Sequence, residues 1–252
     1  WPQCGAAWFI RGKLAYKQNL WKEALELLER AREEGLGEIY LVRLHDMLAR
    51  AYHATENLQN ALANIRSAAA LAPDDPAIRQ EMVLIRLALI DSEIDQLKKQ
   101  SSEHPDNHQV ALSLADHLIK RGLYQEALPL LQSLVGTDAP QTQVYLQMAD
   151  CFSADGLHHL AVGSLQSALS ISSLSGEERK ELLYRQATAL RHLMRFEESI
   201  HSLEMILVDD LDYLNTRELL VEIQKERVAA RISPSVLKPG SRFLPDSEQG
   251  RK

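Results

Sequence analysis

Ten small residues recur in pairs along this 252-residue chain, and they restrict what it can fold into more than any other feature. Ala24, Ala61, Ala127, Ala161 and Ser199 follow one another at spacings of 37, 66, 34 and 38, and 66 is two units of 33. A second set, Gly12, Ala49, Ala115, Ala149 and Ala187, precedes the first by 12 residues in every case. Two antiparallel helices joined by a short turn approach closely only where the contacting side chains are tiny. Larger apolar residues fill the space around each contact. They are Trp8, Leu48, Leu114, Met148 and Leu183 on the first helix, and Leu28, Ile65, Leu131, Leu165 and Leu203 on the second. The pattern predicts one helix pair per unit, with neighbouring pairs stacked on each other.

Composition agrees. Only 11 Gly and 9 Pro interrupt a chain that is 45% hydrophobic and 25% charged, which favours helices with short connections. A net charge of −7 makes a poor wrapper of phosphate, so no nucleic acid is expected as a partner. No run of 18 apolar residues calls for membrane insertion, and no signal peptide is recognisable. The two cysteines, Cys4 and Cys151, form no C-x-x-C pair, which is compatible with a reducing compartment and a cytoplasmic location. A start at Trp1 reads as an excised or processed segment.

These phrases resemble the tetratricopeptide repeat, a helix–turn–helix unit of about 34 residues marked W-x2-L-G-x2-Y, A-x3-F and a late Pro. Trp8, Gly12, Ala24, Leu28 and Ala31 match in the first unit, and Ala49, Tyr52, Ala61, Ile65, Ala68 and Pro73 in the second. Ala115, Gly122, Tyr124, Ala127 and Leu131 match in the fourth; Tyr145, Ala149, Phe152, Gly156, Ala161, Leu165 and Ala168 match in the fifth. The resemblance implies an all-α fold, a right-handed superhelical solenoid of antiparallel helix pairs. Its six repeats would lie at about 5–38, 42–75, 74–107, 108–141, 142–175 and 180–211. The third lacks its turn glycine and its small residues, and is expected to be a degenerate repeat with a shortened turn. Residues 212–232 are expected as a capping helix with Leu214, Leu219, Leu220 and Ile223 on one side. Residues 233–252, with three prolines and two glycines, are expected as a flexible tail or linker.

The tripeptide His104-Pro105-Asp106 is also the signature of J-domain co-chaperones. That reading requires a strongly basic helix before it, and only Lys98 and Lys99 are there. Pro105-Asp106-Asn107 instead matches Pro73-Asp74-Asp75 as punctuation: a proline stops one helix, and an Asp or Asn caps the next. No H-E-x-x-H, Walker A, G-x-G-x-x-G or G-x-S-x-G motif occurs, so no enzyme activity and no cofactor are expected. The nine histidines show no metal-ligand spacing, since His158 and His159 are adjacent and Pro105 separates His104 from His108.

In the family it resembles, a concave face lined by the first helix of each repeat binds extended or helical peptides. Register carries that role to Phe9, Lys13, Tyr16 and Lys17 in the first unit, and to Arg43, Met47, Arg50 and His53 in the second. Leu112, Asp116 and Lys120 follow in the fourth; Leu146, Gln147 and Asp150 in the fifth; Tyr184, Arg185 and Arg191 in the sixth. The basic residues of the first two units, beside Phe9, Tyr16 and Met47, suit an acidic, apolar peptide or a C-terminal carboxylate. The carboxylate clamp of relatives that bind chaperone tails is not reproduced, because Met47 stands where an Asn is needed. The expectation is a non-enzymatic interaction scaffold within a multiprotein assembly. A regulatory module fused to an enzyme beyond Lys252 is the alternative. Self-association is compatible with the sequence but not called for by it.

Overall fold

The computed structural model describes residues 4–232, and the expected tail at 233–252 lies outside them. Twelve helices account for the secondary structure of the described residues: α1 (Gly5–Lys17), α2 (Trp21–Glu33), α3 (Glu38–Ala54), α4 (Leu58–Leu71), α5 (Pro76–Glu103), α6 (His108–Arg121), α7 (Tyr124–Leu134), α8 (Gln141–Ala154), α9 (His158–Leu169), α10 (Gly176–His192), α11 (Phe196–Asp209) and α12 (Thr216–Ile232). The all-α architecture of consecutive helix pairs is the one the repeat phrases predict. All ten small residues are buried. The one serine among them keeps its buried hydroxyl satisfied: Ser199 Oγ donates to the Ala187 carbonyl at 2.7 Å.

The turns inside the pairs share one geometry. A residue with positive φ sits in each of them: Asn19 (59°), Glu56 (61°), Gly122 (83°), Gly156 (74°) and Met194 (59°). Each lies five positions before the small residue of the second helix. The next residue's N–H reaches back to the carbonyl five before it, as in Leu20 to Ala15 (3.0 Å), Asn57 to Tyr52 (2.9 Å), Leu123 to Leu118 (2.8 Å), Leu157 to Phe152 (2.7 Å) and Arg195 to Leu190 (3.0 Å). This is the Schellman closure, in which a left-handed residue lets the next amide satisfy a terminal helix carbonyl. Where that residue carries a side chain, the left-handed conformation costs about 1–2 kcal/mol. Met194→Gly should therefore raise stability, and Gly156→Ala should lower it by about 1–2 kcal/mol, read from urea unfolding midpoints.

The third unit departs from the sequence expectation. In place of a helix, a shortened turn and a second helix, residues 76–103 form one uninterrupted 28-residue helix. The reason lies in its composition. Asp75 caps its start, accepting from the Ala77 and Ile78 amides (2.8 and 3.4 Å), with Pro76 in the first turn. No Gly, Asn or Pro then follows before its end to stop it. It ends at His104, and Asn107 caps α6 by accepting from the Val110 amide at 3.3 Å. The His104-Pro105-Asp106 stretch is thus the punctuation between two helices, with all three residues exposed.

The described residues fall into two compact units, one through Leu123 and one from Tyr124. In the first, Phe9, Ala24, Leu28, Leu44, Met47 and Leu48 join α1, α2 and α3, and Ala49, Ala61, Ile65, Ile78 and Ile85 join α3, α4 and α5. In the second, Ala149, Phe152, Ala161, Leu165, Leu182 and Leu190 join α8, α9 and α10. Leu183, Ala187, Leu203, Ile206, Leu219 and Ile223 then join α10, α11 and α12. Each fully buried leucine contributes about 1.5–3 kcal/mol of hydrophobic free energy. Within α12, Leu219 and Ile223 pack inward as expected, but Leu214 precedes the helix and is 66% exposed at a φ of 45°.

Candidate functional site

In the first unit, the side chains assigned to a binding face divide in two. Phe9, Met47 and Leu112 are 5%, 4% and 1% exposed, so they belong to the core and line no surface. Their apolar character explains their register, because the first helix of a pair is covered on two sides and needs a wide apolar stripe. Lys13, Tyr16, Arg50 and His53 are half-buried, while Lys17 and Arg43 are exposed. Arg50 is not a free cation. Its Nε donates to Asp46 Oδ1 at 2.8 Å, and its Nη1 lies 2.8 Å from Glu81 Oε2. The other Glu81 oxygen is 3.0 Å from His53 Nδ1. Glu81, on α5 and only 7% exposed, is thus the counter-charge of this face. Tyr16 stands near the same group, and burial raises its pKa, opposed by the Arg50 charge. Farther along, Lys120 pairs with Asp116 on its own helix at 2.5 Å.

In the second unit, Gln147 is buried and Leu146 half-buried against the core, whereas Asp150, Tyr184 and Arg185 come together. They line a cleft of about 620 Å³ with Glu181, Thr188, His158, His192, Tyr213 and Leu214. Two turns of α10 supply Glu181, Tyr184, Arg185 and Thr188 at helical spacing, and α8 supplies Asp150. The Arg185 guanidinium is shared between Asp150 and Glu181. The Tyr184 hydroxyl donates to Asn215 Oδ1 at 2.6 Å, and its ring meets Tyr213 edge-on with centroids 6.4 Å apart. Beside it, Lys180 contacts Asp210 (2.8 Å) and Glu177 (2.6 Å) and lies 5.1 Å above the Tyr213 ring. Arg191 reaches α12, meeting Glu222 at 3.2 Å and Glu226 at 2.5 Å.

A common rule emerges: Arg50, Lys180, Arg185 and Arg191 each stand between two carboxylates. Their positive charge is therefore spent within the fold. The basic lining expected for the first two units is correspondingly reduced, since Arg50 is cancelled by Asp46 and Glu81. Asp46, Glu177 and Glu181 sit on the same helix as their cation, whereas Glu81, Asp150, Asp210, Glu222 and Glu226 lie about 30 residues away, beyond the reach of a helical spacing.

His158 and His192 stack face to face at one end of the cleft, with ring centroids 4.3 Å apart and planes 8° apart. His158 Nδ1 is buried without a protein partner. Burial, and then the neighbouring imidazole of His192, lower the His158 pKa. The charge of His192 is also felt by Glu226 of α12, whose own pKa is held down chiefly by its hydrogen bond to Arg191. Because the fold disfavours the proton on His158, its contribution to stability is present above the ordinary value of 6.5 and is lost as the pH falls below it. His192→Gln should move the His158 titration up toward 6.5 and flatten that acid loss, both readable by imidazole NMR and by unfolding at stepped pH.

Among the described residues no group of three or more His, Cys, Asp or Glu is placed to hold a metal ion. Nor is any described helix long and apolar enough to cross a membrane. Cys151 is buried, with its thiol pKa pushed up to about 11 by burial and then by Asp150 and Asp155, which suits packing rather than nucleophilic chemistry.

Two family models described as tetratricopeptide repeat match the sequence, at residues 1–38 and 88–172. A search of curated proteins finds no match. Among solved structures, the Naa15/Naa10 complex bound to HypK-THB is similar at 15% identity and a TM-score of 0.46, over 93% of this chain and 38% of that one. This chain thus spans about two fifths of that relative's length. YrrB, described as a TPR protein with an unusual peptide-binding site, is similar at 14% identity and a TM-score of 0.39, over 89% and 93% of the two chains. A tetratricopeptide repeat protein from Parabacteroides merdae is similar at 13% identity and a TM-score of 0.46, over 90% and 88%. With those family matches on packed helix pairs, this chain carries tetratricopeptide repeats at residues 1–38 and 88–172.

Proposed function

We propose that the protein is a non-enzymatic scaffold that holds a peptide or helix of a partner protein against the first helices of its pairs. Tetratricopeptide repeats are protein–protein interaction modules, and YrrB carries a peptide-binding site. The observation that carries the reading here is the cleft on α8 and α10. It combines fixed polar groups with two tyrosine rings, the mixture that gives a peptide side chain both orientation and apolar contact. Binding on such a face is reversible, on the order of micromolar and −8 kcal/mol.

The test is affinity capture from the native cell with two variants. Thr188→Arg puts a bulky charge in the cleft, and His201→Glu places one on the exposed face of α11. With helicity and melting unchanged, the α10 variant should lose partners by at least about tenfold, equivalent to 1.4 kcal/mol, and the α11 variant should keep them. Loss confined to the α11 variant overturns the assignment of the face.

A further inference from the structure

Resting on that peptide-binding reading, we infer that the cleft on α8 and α10 selects a basic residue: the partner segment carries an arginine or lysine flanked by an apolar side chain. The notion of an acidic partner came from the lysines and arginines of the first two units. The compact unit that begins at Tyr124 has the opposite balance. Around its cleft two cations, Lys180 and Arg185, face four carboxylates: Glu177, Asp210, Asp150 and Glu181. Asp150 is the carboxylate of this set that burial makes hardest to keep charged. Burial first, and Glu181 as well, push its pKa up, and this outweighs the downward pull of the Arg185 guanidinium bound to it. A second cation brought into the cleft would relieve that shortage.

The rest of the lining fits the stem of such a side chain. Tyr184 and Tyr213 offer ring surface against which a guanidinium or an alkyl chain can lie. Leu214, held out by its left-handed backbone and 66% exposed, offers an apolar contact at the lip. The stacked His158–His192 pair closes the other end, where burial and the neighbouring imidazole disfavour a proton on His158. Acidification would charge that end and oppose the ligand.

The experiment is selection of random dodecapeptides on phage against the full folded chain, followed by titration of the selected peptides, fluorescently labelled, into wild type, Glu181→Gln and Glu181→Lys. Glu181 is 45% exposed, so neither variant threatens the fold, and circular dichroism checks this. The expected result is enrichment of Arg and Lys over Asp and Glu. Affinity should fall with added salt, by a few-fold in the Gln variant and at least about tenfold in the Lys variant. Selected peptides that are acidic or neutral, or that bind Glu181→Lys as well as wild type, overturn the basic-residue inference and leave peptide binding standing. Failure to enrich any peptide that needs the folded chain overturns both.

Discussion

Gly12→Leu should break the first helix pair. A Cβ at residue 12 would already lie 2.8 Å from both Cγ and Cδ2 of Leu28, closer than side chains ordinarily come. Leu28 has no exposure and cannot swing aside, because Phe9, Ala24 and Leu44 hold it. The clash is therefore transmitted to the backbone, and α1 must lift off α2. Overpacking of this kind costs about 1–3 kcal/mol where the core yields, and more where helices must separate. The expected loss is about 3 kcal/mol or more, seen as a lower urea midpoint, with hydrogen exchange in α1 and α2 rising before exchange in α8 to α11. Gly163→Ala is the control. It also sits inside a helix, but a Cβ there meets nothing within 4 Å, so the variant should gain about 0.5–1 kcal/mol from helix propensity. If Gly12→Leu unfolds at the wild-type midpoint, close crossing at small residues is not what holds the pair.

That contrast also shows what the sequence made legible. The paired small residues predict the helix pairs because they report a purely steric demand, which a short sequence pattern records. The turns were only half legible. Gly122, Gly156 and Asn19 announce left-handed positions, but Glu56 and Met194 take the same conformation, imposed by closure of the pair rather than by residue preference. The third unit was misread in one respect for a related reason. Without a turn former the helix simply continues, and its two halves serve different neighbours: Ile78 and Ile85 pack with α4, while Asp91 and Glu93 meet Arg121 (2.6 Å) and His117 (3.2 Å) of α6. The candidate site was the least legible part. Register identified first-helix positions, but it cannot separate Phe9, Met47, Leu112 and Gln147, which face the core, from Tyr184 and Arg185, which reach the cleft. Nor can it show that a cation is cancelled by a carboxylate some 30 residues away.

Glu81 is the sharpest instance, and removing it should be costly. Its carboxylate is buried between Arg50 and His53, so Glu81→Ala deletes two charge-assisted contacts and leaves a half-buried guanidinium with Asp46 alone. Breaking a fully buried pair costs about 3–5 kcal/mol, but Arg50 keeps 31% exposure and can recover water. The expected loss is thus about 1–3 kcal/mol at neutral pH. A double-mutant cycle with Arg50→Ala should return a coupling above about 0.5 kcal/mol, and added salt should reduce it. Glu81→Gln is the intermediate case, since it keeps one acceptor oxygen and the side-chain volume while removing the charge and the second acceptor. It should fall between wild type and Glu81→Ala. A Glu81→Ala protein as stable as wild type would mean that Arg50 is already satisfied by Asp46.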